Sequence, residues 1–151
     1  MRFPVLMFAA VAALAALAGC SGSAPERMVV VRDQSRMLPP RGLKHSGIVM
    51  DHVVGLPKLP GGTVGDYTSG GKSYQIFIVD TGANQAAAFL LLDAKGGLKD
   101  PEYLSSFGGY FGNEGARPVF VFAKERYLAG IVGLSKDEAD PIARLLASRL
   151  R

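Results

Sequence analysis

The chain has 151 residues, 17 basic against 13 acidic side chains, a net charge of +4 and 48% hydrophobic residues. That length suits one domain with a modest core. The charges are dispersed: Lys95, Lys99, Arg117, Lys124, Arg126 and Arg144 alternate with Asp93, Asp100, Glu102, Glu125 and Asp140. No basic run interleaved with aromatics is present, so a nucleic-acid partner is not supported.

At the N-terminus, Arg2 precedes an unbroken apolar run of thirteen residues, Val5 to Leu17. At about 1.5 Å per residue the run covers about 20 Å, short of the bilayer core of about 30 Å. It has the layout of a secretory signal rather than a transmembrane helix. Leu17-Ala18-Gly19-Cys20 closes the run and holds the only cysteine of the chain. This segment resembles the lipobox of bacterial lipoproteins. The resemblance implies a diacylglycerol on the Cys20 thiol and a mature chain that begins at Cys20. It also implies a location in the bacterial cell envelope, on a periplasm-facing membrane, and Ser21 after the cysteine favours the outer one. The organisation expected is a signal peptide over 1–19, a lipidated tether over 20–27 and a single α+β domain over 28–151. With one cysteine no intramolecular disulfide is available, so packing must supply the stability.

Met28 to Arg32 is β-branched and predicts a first strand. Gln34 to Lys44 contains Pro39-Pro40 and Gly42 and reads as loop. Gly47 to Val54 predicts a second strand, and Gly55 to Gly62 an irregular connection. Thr63 to Tyr67 and Lys72 to Asp80 predict a hairpin across Gly70-Gly71, residues able to take the positive φ of a tight turn. Ile76 to Val79 is apolar at every position, the pattern of a central strand covered on both faces.

Ala83 to Ala94 predicts a helix with Thr81 or Asn84 as the capping oxygen. It is apolar all round over Ala86 to Leu92 and is expected to be largely buried. Leu98 to Arg117, rich in Gly and containing Pro101, reads as a long connection. Pro118 to Ala123 and Arg126 to Leu134 predict a second hairpin, with a longer or bulged loop because Lys124-Glu125 lacks Gly and Asn. Ser135 to Glu138 matches a capping box. Pro141 within a helix begun at Ser135 would cost about 3 kcal/mol, so a break and a helix over about 141–150 are expected. Ile142, Leu145, Leu146 and Leu150 form its expected core stripe. The order predicts an α+β fold with a mainly antiparallel sheet of about five strands and two principal helices, about 83–94 and 141–150. Val119 to Phe122 and Leu128 to Leu134 are apolar on both alternating sets. Both sides of the sheet therefore need cover, from helices on opposite faces, from the N-terminal segment or from a partner.

Candidate chemistry is sparse. His45 and His52 are the only histidines, and with Asp51 and Asp66 they are candidates for a general base or metal ligands. Their seven-residue spacing matches no ligand signature, and surface histidines are the plainer reading. The 105–115 segment is the candidate ligand or partner loop. Its glycines let backbone approach a ligand, Phe107, Tyr110 and Phe111 offer stacking faces, and Asn113 and Glu114 offer polar contacts. Aromatics pinning a connection to the core explain the same residues. No cofactor, metal or nucleophile motif is present. The expected function is a lipid-anchored envelope protein with a small non-catalytic binding or interaction domain. Its partners would be the membrane, through acylated Cys20, and an envelope protein or cell-wall component; a homo-oligomer has no support in any motif. The alternative is a small envelope hydrolase or lyase using His45, His52 and nearby carboxylates.

Overall fold

The computed structural model describes residues 30–151. Cys20, the apolar run before it and Met28-Val29 lie outside the described residues. Val30 to Arg32, the remainder of the expected first strand, belong to no regular element.

Seven strands form one antiparallel sheet. In chain order they are β1 (Leu43–Asp51), β2 (Pro60–Ser69), β3 (Lys72–Asp80), β4 (Lys99–Leu104), β5 (Gly109–Glu114), β6 (Arg117–Lys124) and β7 (Tyr127–Val132). The helices are α1 (Asn84–Gly96), after β3, and α2 (Lys136–Arg149), after β7. The spatial order is β1-β2-β3-β7-β6-β5-β4. The fold is thus α+β with an antiparallel sheet and two helices, but the sheet has seven strands rather than about five. The additional pair is β4–β5, drawn from the stretch read as a long connection. Pro101 is compatible with pairing because β4 is an edge strand, where a missing N–H is tolerated, and Gly109 of the interior strand β5 sits where a Cβ would lie 2.3 Å from the Val121 carbonyl oxygen. A register shift between Lys99 and Glu102 accommodates the local irregularity, with Asp100 at φ 50°.

The β2–β3 hairpin turns through Gly70 and Gly71, both at positive φ, as their lack of Cβ permits. The β6–β7 hairpin is tighter than expected. Lys124 pairs directly with Tyr127, leaving a two-residue turn with Glu125 at φ 51°. Its strain is held by the neighbouring connection, since the Arg126 carbonyl accepts from both the Thr81 amide (3.0 Å) and the Thr81 hydroxyl (2.7 Å).

The helices lie on opposite faces, each over its own cluster of the core. On one face Leu91 and Ala94 of α1 share a cluster with Phe77, Val79, Val121 and Leu128. On the other, Ala139, Ala143, Leu146 and Leu150 of α2 join Ile76, Ile78, Phe120 and Ile131. The helices pack chiefly on β5, β6 and β7, leaving most of the β1–β2 side to other segments. There the chain covers itself. Val53, Val54, Leu56 and Leu59, in the connection after β1, extend the α1-side cluster, and Leu38 and Tyr67 extend the α2-side cluster. Val54 is a β-branched residue at φ 50°, a rare conformation, and it is 7% exposed; burial of its side chain offsets the backbone cost.

The helix α2 runs without a break from Lys136 through Pro141, contrary to the expected start at Pro141. Ser135 and Glu138 form the reciprocal capping box, and Lys72 and Lys136 tie this first turn to the sheet by pairing with Glu138 and Glu102. Pro141 lies on the exposed side, and the carbonyl it leaves without a donor belongs to Asp137, also exposed and open to solvent. The buried stripe shifts accordingly to Ala139, Ala143, Leu146 and Leu150, leaving Ile142 half-buried and Leu145 49% exposed.

Candidate functional site

β3 delivers Asp80 to the end of the sheet, where the chain turns into α1. The Asp80 carboxylate is almost fully buried. One oxygen accepts from the Gly82 amide (3.0 Å), the other from Gln34 Nε2 (3.0 Å). Arg126 Nε stands 3.2 Å from Oδ1, buried and off the angle of a hydrogen bond, so this contact is ionic; the Arg32 guanidinium lies 3.9 Å from Oδ2. Burial of a carboxylate is tolerated only with such compensation. Beside it Thr63, fully buried on β2, accepts from the Gln34 amide at 2.8 Å and faces the Arg32 carbonyl at 3.4 Å. These bonds fasten the segment 32–34 across the end of the sheet.

Next to this cluster lies a cleft of about 420 Å³. Its walls are the incoming chain (Val30, Val31), the start of β2 (Pro60 to Gly62) and the side of α1 (Ala86, Phe89, Leu90). Val79 and Asp80 form the adjoining part, with Asp93 and Arg32 at the polar margin. Among the described residues the lining is largely apolar and contains no His, Ser or Cys. Asp80 is committed to structural partners, and Thr81 Oγ1 is engaged with the Ala83 and Arg126 carbonyls at 2.9 and 2.7 Å. That engagement also corrects the expected cap of α1. Ala83 is the N-cap residue, and neither Thr81 nor Asn84 caps it through a side chain. The cleft is built to receive apolar surface. A larger hollow of about 590 Å³, between the β6–β7 turn and the end of α2, is lined instead by polar groups such as Asn84, Lys124, Glu125 and Arg151.

The outer side of α1 is the unexpected feature of this region. The helix was expected to be largely buried, yet only Ala87, Leu91 and Ala94 are. Phe89 is 62% and Leu92 55% exposed, and Val30, across the cleft, is 72% exposed. An apolar-all-round helix on the outside of a sheet has one face without cover. That pattern was the signal for this site in the sequence, and it read as burial.

The residues singled out in 105–115 do not form one loop. Phe107 lies in the β4–β5 turn with its ring 5.2 Å from those of Phe120 and Phe122, under the Arg144 guanidinium. Phe111 packs on the same α2-side cluster, whereas Tyr110 points to the α1 side, against Tyr103 and beneath Lys95. Glu114 pairs with Arg117, and Asn113 is exposed. Strand alternation divides these residues between the faces of the sheet. The histidines are likewise apart. His45 is on β1 and His52 just beyond its end, and at about 3.3 Å per residue the strand separates them by about 20 Å. Both are exposed, and His52 Nδ1 lies 3.2 Å from the Asp51 carboxylate. Among the described residues no group of three His, Cys, Asp or Glu side chains is placed to hold a metal ion. No helix among them is long and apolar enough to cross a membrane.

Fold and site together define an α+β domain in which one antiparallel sheet carries a helix on each face, with an apolar cleft beside α1. Comparison with protein-family models, with curated proteins and with solved structures finds no match for this chain.

Proposed function

We propose that this protein is a lipid-anchored lipoprotein of the bacterial cell envelope, held through acylated Cys20 and carrying a small binding or interaction domain. The observation that carries this reading is Leu17-Ala18-Gly19-Cys20, with its lone cysteine, at the end of a thirteen-residue apolar run behind Arg2. One acyl chain holds a protein marginally, and two or more on one residue make attachment stable. The domain's chemistry supports binding over catalysis. Its cleft is apolar, the adjacent carboxylate is tied up in structure, and His45 and His52 share no site. Its partners are the membrane and an envelope protein or cell-wall component. The test is metabolic labelling with radioactive palmitate in a bacterial host. The wild-type chain takes up label and Cys20→Ser does not; equal labelling of the two refutes the anchor.

A further inference from the structure

We propose that the outer face of α1, with the adjoining cleft, is the surface on which this domain lies against a lipid bilayer; the proposal rests on the anchor reading above. Phe89 and Leu92 are three residues apart on the helix and so share one side. Phe89 lines the cleft, where Val30 brings a third exposed apolar side chain and Ala86 a further exposed one, with Leu92 on the same side of the helix just outside it. Single exposed apolar residues are ordinary; a gathering around a cleft marks an interaction surface.

Position identifies the occupant. Val30 lies beside Phe89 and only ten residues after Cys20. Ten residues reach at most about 36 Å when extended. A lipid on Cys20 therefore confines this end of the domain close to the bilayer, and α1 is the helix beside that end. Confinement makes the contact intramolecular, so a small patch suffices where it would not hold a free protein. The other exposed large apolar side chains are Ile48 and Met50 on β1 and Tyr103 on β4, at the two edges of the sheet, and Leu145 on α2, on the opposite face; none is at the cleft.

The chemistry agrees with an interfacial helix. α1 is about 20 Å long, carries Phe and Leu outward and has no acidic residue in its first turn. Arg32 at the cleft margin is exposed and suited to a headgroup phosphate, while Asp93 offsets its charge. The attraction is thus to the apolar boundary of the bilayer rather than to anionic lipid in particular.

The lone cysteine and the absence of tryptophan make a direct test available. The chain from Cys20 onward is coupled through that thiol to a maleimide lipid in phosphatidylcholine vesicles, with Phe89→Trp as the reporter and Leu145→Trp, on α2, as the control. Brominated acyl chains should quench the Phe89→Trp emission and vesicles should shift it to the blue, with the Leu145→Trp emission unchanged. Equal quenching of both, or of neither, overturns the proposal. Blue-shifted emission already present without vesicles overturns it too, assigning the face to the chain's own leading segment if independent of concentration and to a second copy if concentration-dependent. Because the lipid is attached chemically, a negative result here is distinct from failure of Cys20 to be acylated in the cell.

Discussion

Glu138 shows how one side chain joins two levels of the structure. It completes the capping box with Ser135 and pairs with Lys72, so the start of α2 is fixed both to itself and to β3. The Lys72 hydrogen bond first, and the two from Ser135 after it, hold the Glu138 carboxyl at about 2, below its ordinary value of 4.5. A carboxylate whose pKa is lower in the folded state stabilises fully above its unfolded value and loses that contribution as the pH falls toward the folded one. Glu138→Gln should therefore flatten the pH dependence of stability between about 4.5 and about 2. Urea midpoints of the two proteins across that range check this; parallel curves would remove Glu138 from the acid response. The effect is modest, since the pair is exposed to solvent. Gly130 illustrates the opposite kind of constraint. It pairs with Phe77 across β3 and β7, and a Cβ there would lie 2.7 Å from the Phe77 ring and 2.4 Å from the Phe120 carbonyl oxygen. The absence of a side chain is what lets the Phe77 ring lie over the middle of the sheet.

At the scale of elements, local rules located most of the structure and misplaced some faces. The β2–β3 and β6–β7 hairpins, α1 and the capping box of α2 follow from alternation, paired glycines and cap chemistry. The Pro141 penalty was counted against an isolated helix, whereas here the first turn is held by its cap and by two pairs to the sheet. Continuity through Pro141 rotates the buried stripe onto Ala139, Ala143 and Leu146. Leu146→Ala should accordingly cost about 2–5 kcal/mol as a fully buried leucine, while Leu145→Ala should cost at most about 0.5 kcal/mol. Chemical denaturation of the two variants decides between the stripes, and comparable losses at the two positions would support the stripe expected from a start at Pro141. β4 and β5 are hidden in the local pattern because Pro101 and exposed positions are admissible on the edge strand β4, and the glycines of β5 are common in loops.

At the scale of the whole molecule, the two-sided apolar strands Ile76–Val79 and Val119–Phe122 required two covers, and the chain provides them itself. The helices take one face each, and segments outside the helices complete the cover toward β1. The N-terminal segment is integral to this arrangement. Leu38 is buried, the Tyr67 hydroxyl donates to the Pro39 carbonyl at 2.8 Å, and Arg149 reaches from the end of α2 to donate to the Met37 and Arg36 carbonyls. A chain beginning at Arg41 should be clearly less stable than one beginning at Val30, because it uncovers Tyr67 and Ile78 and leaves Thr63 and Asp80 without Gln34. Thermal unfolding of the two is the measurement, and equal midpoints would show the segment to be dispensable.

The sequence by itself determined the fold class, the hairpins, the two helices and the expectation of a lipid anchor at Cys20. All of these are encoded in patterns confined to a few neighbouring residues. Only the tertiary structure decided which faces were covered. It separated Phe107 and Phe111 from Tyr110, and His45 from His52, since sequence proximity says nothing about the side of a sheet or the length of a strand between two positions. It also turned α1 from a helix expected to be buried into one with Phe89 and Leu92 outward, on the side of the helix next to Val30. Burial is a property of what lies opposite a residue, and nothing in the local pattern of α1 specifies what that is.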